Sequence, residues 1–351
     1  MNPMRWQKQE YTASIPMRII GPVKIISQEL NEVVPIPFAT FETPLWPSVH
    51  RGTRVCMRSG GIRATVVDER MSRSVLVEAD SAITLQKIAV QIKQNMHEYS
   101  QLLHQVSRFA QLIDINTQLV GTLLYIRFEF LTGDAAGHNM ATLASDRLLN
   151  EILRVYPVLR YVSISGNYCA DKKAGAVNSI LGRGKNVIAE VVIPSDICQN
   201  LLNATPSQIV ALHVKKNLMG NIIAGGLRTA NAHFANILLG FYLATGQDAA
   251  NIVEGSQGLV HTELRHDDLY FSVTLPNVIV GAVGNGKDLS FVKENLELLG
   301  CLEKRPTGEN ARRLAIIAAA AVLCGELSLL AAQTNQGELM RSHIKLERKA
   351  V

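Results

Sequence analysis

The most regular pattern of apolar and polar residues lies between residues 74 and 164. From residue 85 to residue 103, apolar side chains recur every three or four positions, which is the spacing of one face of an α-helix. Residues 126–130 instead alternate apolar and charged side chains, which indicates a half-buried strand. A second helical pattern covers residues 140–152, and strand-like runs lie at both ends. The order is that of a ferredoxin-like βαββαβ unit.

We therefore predict an α+β fold in which a large mixed α/β domain carries this small unit as an insertion. Outside it, apolar runs predict a buried strand at residues 186–193, a long helix at 229–244 and paired strands at 269–275 and 278–282. The most apolar run, 314–323, is about half as long as a membrane span and predicts a buried helix. The chain is divided into an N-terminal segment with the first part of the large domain (1–73), the small domain (74–164), the rest of the large domain (165–337) and a mobile C-terminal tail (338–351).

Composition narrows the class of protein. With 351 residues and 47% apolar side chains, the chain can bury two cores. Its net charge of +5 comes without a dense basic block, which argues against a nucleic-acid partner. Five scattered cysteines without a CxxC pair indicate reduced thiols and no metal site. No apolar leader is visible in the first residues, so we expect a soluble cytoplasmic protein with no membrane association.

The stretch SGNYCADKK at residues 165–173 is the strongest candidate for chemistry. A strand-like run leads into it, and Gly166 allows a sharp turn. Asp171 precedes two adjacent cations, Lys172 and Lys173. A lysine held near an acid on a loop can place its ammonium group over a developing oxyanion. The alternative is a solvated charged turn.

Two further stretches could bind phosphate groups. The sequence GDAAGHNM at residues 133–140 resembles the start of a helix whose backbone N–H groups hold a diphosphate, although it lacks the three-glycine spacing of a Rossmann unit. Residues 48–54 place His50, Arg51 and Arg54 around Gly52, which predicts a phosphate-binding loop. Ordinary turns and a surface loop remain the alternatives. Pattern alone gives no reason to bring Glu42, Asp248 or His343 to either stretch.

Seven motifs together resemble those of the 3-hydroxy-3-methylglutaryl-coenzyme A (HMG-CoA) reductases. They are SGNYCADKK, GDAAGHNM, NIIAGGLRTANAHFANI, GQDAA, GENARRLA, GELSLLAA and LMRSH, in the order found in that family, and they extend over roughly residues 20–345. The DKK sequence and the histidine near the end of the chain resemble the class I branch. The resemblance therefore implies a soluble, class I-like catalytic portion, with the large domain binding substrate and the small domain binding NADP.

The resemblance also implies roles for individual residues. The catalytic acid, lysine and aspartate would be Glu42, Lys172 and Asp248, and the group that protonates departing coenzyme A would be His343. Coenzyme A would lie against Ser48, Val49, His50, Arg51, Gly52, Thr53 and Arg54. NADP would lie against Ser107, Arg108 and Phe109 and against Asp134, Ala135, Ala136, Gly137, His138, Asn139 and Met140. The hydroxymethylglutaryl group would be held by Arg73, Ser165, Asn167, Asp171, Lys173 and Lys216, with Asn236 as a further active-site residue.

The activity implied is reduction of HMG-CoA to mevalonate and coenzyme A in two hydride transfers from NADPH, with NADH less favoured and no metal. A homodimer or homotetramer with active sites between subunits is expected. The chain departs from the family at TFETP around Glu42, at GHNM, at GNGK, and in lacking the ENVIG segment before residue 20. Two alternatives stay open: oxidation of mevalonate with NAD on the same fold, and a non-catalytic sensor of acyl-CoA or nucleotide.

Overall fold

The computed structural model describes residues 12–104 and 110–347. Its strands are β1 (Met17–Ile26), β2 (Asn31–Ala39), β3 (Ile62–Glu78), β4 (Gln111–Val120), β5 (Leu123–Leu131), β6 (Arg160–Ser163), β7 (Gly184–Ile193), β8 (Leu259–Arg265) and β9 (Asp268–Val278). Its helices are α1 (Leu45–Arg58), α2 (Ala82–Gln94), α3 (Met96–His104), α4 (His138–Val155), α5 (Val177–Leu181), α6 (Ser195–Leu202), α7 (Pro206–Leu212), α8 (Asn221–Ile223), α9 (Phe234–Ala244), α10 (Ile252–Gly255), α11 (Ser290–Leu298), α12 (Glu309–Gln333) and α13 (Glu338–Glu347). A π-helical segment, His213–Gly220, joins α7 to α8, and a 3-10 turn, Ala249–Asn251, precedes α10.

Strand β3 belongs to two sheets. Its residues 63–70 pair antiparallel with β7, within the order β2-β1-β3-β7-β9-β8. Its residues 71–78 pair antiparallel with β5, within the order β4-β5-β3-β6. The second sheet and its helices follow the succession β3, α2–α3, β4, β5, α4, β6, so the predicted βαββαβ unit and the α+β fold are confirmed. The proposed domain boundary at residues 73 and 74 falls inside β3 and stays a prediction.

Two hydrophobic cores follow from this arrangement. The smaller lies between the second sheet and the apolar faces of α2, α3 and α4. The larger surrounds α12, of whose 25 residues nearly all are buried. By length and composition alone α12 could cross a membrane, but 94% of its apolar window is buried within the chain. It is therefore packed as a core helix, as the sequence predicted.

Three local predictions are wrong. Arg127 and Glu129 do not face solvent on a half-buried strand but are fully buried and paired with each other. The helix expected at 229–244 begins only at Phe234, because residues 231–233 turn to give backbone N–H groups to the buried carboxylate of Glu326. Of the two strands expected at 269–275 and 278–282, only the first is present: it lies in β9, which ends at Val278 and pairs with β7 and β8, whereas residues 279–282 are not in a strand.

Candidate active site

The loop at residues 165–173 has a strained backbone. Asn167, Ala170 and Lys172 have φ values of 60°, 42° and 54°, in the left-handed region that non-glycine residues seldom adopt. Each such residue costs about 1–3 kcal/mol unless its surroundings hold it in place. The neighbouring buried side chains supply that restraint.

Two buried charges hold the end of this loop. The Arg183 guanidinium, only 1% exposed, donates from Nη2 to Asp171 Oδ1 at 2.7 Å and from Nη1 to the Ser72 carbonyl. The Glu254 carboxylate, fully buried, accepts the Lys172 backbone N–H at 3.1 Å and lies 3.7 Å from Arg183 Nε. Burial raises the pKa of Glu254. These contacts fix the backbone on both sides of the Asp171–Lys172 peptide.

A second buried arginine holds the first half of the loop. Arg127 Nη1 donates to the Tyr168 carbonyl at 3.0 Å and to Asn178 Oδ1 at 3.1 Å. The amide of Asn178 in turn donates to the Ala170 carbonyl at 3.1 Å. Glu129 neutralises Arg127 through a 2.8 Å contact. The strained loop therefore rests on a network of buried charges that reaches into both cores.

Lys172 and Asp248 form the central pair of the site. Lys172 Nζ lies 2.7 Å from Asp248 Oδ2, although the two residues belong to different loops. The side chains are 38% and 43% exposed, so the pair is accessible to a ligand. The hydrogen bond to Asp248 raises the pKa of Lys172. Burial raises the pKa of Asp248, but the bonds from Lys172 and from the Ala250 N–H outweigh it and leave that pKa below its usual value. At neutral pH the lysine is cationic and the aspartate anionic.

Of the predicted substrate contacts, Ser165, Asn167 and Lys173 lie on the same loop as Lys172, and Arg73 contacts that loop. Arg73 donates to Thr142 Oγ1 on α4 at 3.0 Å and to Ser165 Oγ at 3.4 Å. Asn167 and Lys173 are exposed on the loop, and Lys173 Nζ donates to the Asp171 carbonyl at 3.0 Å. Lys216 lies in the π-helical segment, half-buried, where burial lowers its pKa.

Glu42 lies in a second group of residues. It lines a cavity of about 390 Å³ with Ser48, Arg51, His233, Asn236 and part of α13. Arg51 donates from Nε to Ser328 Oγ at 3.0 Å and from Nη1 to Glu338 Oε1 at 2.7 Å. Within residues 12–104 and 110–347, no hydrogen bond or ion pair joins Glu42 to Lys172 or Asp248. His343 is a residue of helix α13, and the position of its side chain lies outside what the structure describes.

The phosphate-binding loop predicted at residues 48–54 is wrong in form, because these residues lie on helix α1. Val49, Gly52 and Thr53 are buried; Gly52 faces α12, where a Cβ atom would stand 2.0 Å from the Cys324 carbonyl oxygen. The side chains of Val49 and Thr53 and the backbone of Gly52 therefore face the core. His50 and Arg54 are exposed, whereas Ser48 and Arg51 line the cavity. A ligand that meets the cavity can reach Ser48 and Arg51 together.

The turn at residues 133–140 leads into the N-terminus of α4, as predicted. Gly137 has φ 94°, and among the described residues no side chain caps the helix. The first N–H groups of α4 can therefore bind an anion. A Cβ atom on Gly281, three residues after the end of β9, would lie 2.4 Å from the Ala136 nitrogen. A glycine is therefore needed where the chain passes the turn at residues 133–140. The carboxylate of Asp134 is already used, since it accepts the N–H groups of Gly308 and Ala311 at 3.0 Å and caps α12.

Ala135, which pairs with Val283, and Ala136 are partly buried, and Met140 packs against the smaller core. Asn139 is exposed on the first turn of α4, and His138 is partly buried beside Asp171. Ser107, Arg108 and Phe109 lie outside the described residues. The turn and helix start fit a dinucleotide diphosphate by their uncapped N–H groups.

Comparison with known proteins decides the family. The family model for hydroxymethylglutaryl-coenzyme A reductase matches residues 12–348. This chain belongs to the HMG-CoA reductase family. It is 42% identical over 337 residues to the 3-hydroxy-3-methylglutaryl-coenzyme A reductase of Pyrococcus abyssi, covering 95% of this chain and 82% of that protein. It is 40% identical to the reductase of Methanocaldococcus jannaschii, with the same two coverages, 95% and 82%.

The fold agrees with the family. A class II 3-hydroxy-3-methylglutaryl-CoA reductase from Streptococcus pneumoniae, solved with NADPH in open conformations, superposes with a TM-score of 0.74 at 19% identity, covering 94% of this chain and 87% of that one. The prediction that this chain is an HMG-CoA reductase is therefore confirmed at the level of the family.

The site residues expected for an HMG-CoA reductase chain stay a prediction, and they include none of the buried residues that hold the loop. Lys172, Asp248 and Asp171 are brought together, and Glu42, Arg51 and Asn236 form the separate cavity group. The unpredicted residues are those that hold the loop: Arg127, Arg183, Asn178 and Glu254. Arg183 stands between two glycines in LGRGK, the one visible signal. Glu254 gives none, whereas the buried Glu326 lies in the motif GELSLLAA.

Proposed function

We propose that this chain reduces HMG-CoA to mevalonate and coenzyme A, with Lys172 and Asp248 at the reacting carbonyl. The observation that carries the proposal is the 2.7 Å contact between Lys172 Nζ and Asp248 Oδ2 on an accessible surface. Hydride addition to a thioester or aldehyde places negative charge on the carbonyl oxygen. A preorganised ammonium group stabilises that charge without reorganising during the reaction.

Asp248 and the buried network keep Lys172 ready for this role. Because the Asp248 hydrogen bond raises the pKa of Lys172, the ammonium form persists at neutral pH. Glu254 fixes the backbone of Lys172, so the side chain starts from one position. The energy stored in the strained loop is offset by buried contacts rather than by the ligand. The lysine therefore does not have to be ordered when substrate binds.

NADPH supplies the hydride when bound. The uncapped N-terminus of α4 and the turn at residues 133–137 would hold its diphosphate, and Asn139, exposed on the first turn, would contact it. Asp134 would act indirectly, because its carboxylate caps α12 and so fixes the turn. We assign the residues 107–109 to the cofactor on the resemblance alone.

The charges of the other predicted side chains suit them to bind the substrate and coenzyme A. Lys173, Arg73 and Lys216 would neutralise the substrate carboxylate, and Ser165 and Asn167 would bind its polar groups. Ser48 and Arg51 would contact coenzyme A from the cavity that also contains Glu42, the proposed proton donor. His343, on α13, would protonate the departing thiolate.

Kinetics on neighbouring lysines test the role of Lys172. Loss of an oxyanion donor costs about 3 kcal/mol, so Lys172→Ala should lower kcat by at least a hundredfold. Lys173→Ala is the matched control: it should raise the KM for HMG-CoA while kcat falls far less, because that side chain would bind the carboxylate and not the reacting oxygen. Near-normal kcat in Lys172→Ala would refute the assignment.

We further propose that the active site lies between two subunits of a homodimer or homotetramer. Among the described residues no hydrogen bond or ion pair joins Glu42 to Lys172 or Asp248, and this supports the proposal because the chemistry requires all three groups at one substrate. Mixing inactive Glu42→Gln and Lys172→Ala chains would then restore activity, since one site of each mixed dimer contains both native residues. No recovery, in a sample shown to exchange subunits, would place all three groups in one chain.

We also propose that the protein works in the cytoplasm. All five cysteines are unpaired and buried, which is typical of a reducing compartment. The direction of the reaction is tested with the two cofactors. Preference for NADH, together with rapid oxidation of mevalonate, would favour the catabolic alternative, and binding without turnover would favour a sensor.

A further inference from the structure

The start of α4 approaches the loop at residues 165–173, called the substrate loop below, directly at one end through His138 and at the other end through Arg73. His138, its first residue, places Nε2 at 3.8 Å from Asp171 Oδ1 near the end of the loop. Thr142, one turn later on the same face, accepts from Arg73, which also donates to Ser165 at the start of the loop. The Thr142 hydroxyl donates to the His138 carbonyl at 2.9 Å, which links the two contacts. One helix face thus reaches the loop at two points.

Of these two contacts, only the one at His138 lacks a hydrogen bond. Its Nε2 atom is buried and has no hydrogen-bond partner, whereas Arg73 and Thr142 are already joined. A buried polar atom without a partner is costly, so a small closing movement that supplied one would be favourable. Asp171 Oδ1 is less than 1 Å beyond hydrogen-bond range.

The charges around His138 determine the form in which it would act. Burial, helped by the nearby Arg183 and Lys172 and opposed by Asp171 and Asp248, lowers the pKa of His138 to about 4. The imidazole is therefore neutral near pH 7. A neutral imidazole can donate one N–H to a carboxylate without adding a charge to the site.

We propose that His138 is a positioning residue that couples cofactor binding to substrate binding. A dinucleotide held at the N-terminus of α4 would draw this turn toward the substrate loop, and the His138 Nε2–H would then donate to Asp171 Oδ1. Asp171, held from the other side by Arg183, would gain a second restraint. The inference rests on the proposed function, because it requires both ligands to bind at these places.

Binding titrations test this coupling without turnover. NADPH fluorescence is titrated with and without saturating mevalonate, a pair of ligands that cannot react with each other. The ratio of the two dissociation constants is the coupling factor. In the wild type, we expect mevalonate to tighten NADPH binding by about fivefold or more, the usual size of such coupling.

Four single variants and one double variant decide the outcome. His138→Met should bring the coupling factor close to one while the protein still binds each ligand alone, and His138→Gln, whose amide can also donate, should restore much of it. Leu143→Ala, at an exposed position on α4 with no role in the site, is the control and should keep the wild-type factor. Asp171→Asn should lose the coupling too, with no further loss when His138→Met is added.

The opposite results are equally clear. A wild-type factor of one, or an unchanged factor in His138→Met, would overturn the inference. So would weaker NADPH binding in both His138 variants at an unchanged factor, which would make His138 a cofactor contact only. Failure of the wild type to bind either ligand would contradict the proposed function itself.

Discussion

Replacing Arg183 by methionine tests whether the buried network holds the substrate loop. The guanidinium group, 1% exposed, is the cation between Asp171 at 2.7 Å and Glu254 at 3.7 Å. Methionine has a similar length but no charge and no donor. The variant would leave two carboxylates facing each other across the position of the missing cation.

The size of the effect follows from burial. Removing one partner of a buried ion pair costs about 3–5 kcal/mol, because the other charge stays buried without compensation. Asp171 is 21% exposed, and burial raises the pKa of Glu254, so protonation can relieve part of the cost. We therefore expect a loss of about 3 kcal/mol in unfolding free energy, at the lower end of that range. The loop should also lose its single position, with kcat falling at least tenfold.

The effect should depend on pH with a definite sign. Burial raises the pKa of Asp171, but Arg183, His138 and Lys172 together hold it below its usual value. Its stabilising contribution is therefore present above the pKa of an unfolded aspartate and is lost as the pH falls through the lowered pKa. The difference between wild type and Arg183→Met should be largest at neutral pH and should shrink on acidification.

Urea unfolding and steady-state kinetics measure both consequences. Arg154→Met, which removes a fully solvent-exposed arginine paired with Glu151, is the control and should leave unfolding and turnover near the wild-type values. A stable, fully active Arg183→Met protein would refute the claim that these buried charges position the loop.

Three other changes test separate parts of the structure. Burial raises the pKa of Glu326 from 4.5 to about 7, so its contribution to stability is present at low pH and is lost as the pH rises through 7. Glu326→Gln should therefore flatten the fall in Tm between about pH 5 and about pH 8, and an unchanged slope would contradict this. Gly52→Ala should cost about 3 kcal/mol of unfolding free energy, because the added Cβ atom forces α1 away from Cys324. Gly220→Ala is the control and should cost little, because the Cβ atom added there has no atom closer than 4.0 Å. Equal Tm values for the two variants would disprove the close contact. Glu338→Gln should release Arg51 from its ion pair and tighten coenzyme A binding by up to about fivefold, which corresponds to the energy of a partly exposed ion pair. An unchanged affinity measured by calorimetry would show that Arg51 does not contact coenzyme A.

The sequence predicted elements whose stability is local. Apolar spacing found the βαββαβ unit because each helix and strand buries one continuous face. It did not find helix α1, whose residues 48–54 were expected in a loop, although Pro44 and Pro47 are compatible with the N-cap and first turn of a helix. The extent of β9 was hidden because Pro276 and Asn277 interrupt the pattern within a strand that nevertheless continues to Val278.

The candidate site was predicted by resemblance more than by pattern. Lys172 and Asp248 meet only after the chain has folded, and no spacing rule connects them. Arg127 and Glu129 were expected at the surface because charge normally indicates exposure. They are buried because each satisfies the other and Arg127 also binds loop carbonyls, contacts that depend on residues far along the chain. The network that holds the site was therefore invisible to local reasoning.

The most direct measurement is the stoichiometry of the reaction. Purified protein would be given limiting HMG-CoA and excess NADPH, and the oxidised cofactor and the mevalonate formed would both be counted, with Lys172→Ala alongside. The account predicts that two NADPH are oxidised for each mevalonate, with one coenzyme A released, and that the variant forms almost none. One NADPH per product, no mevalonate, or equal turnover by Lys172→Ala would contradict it.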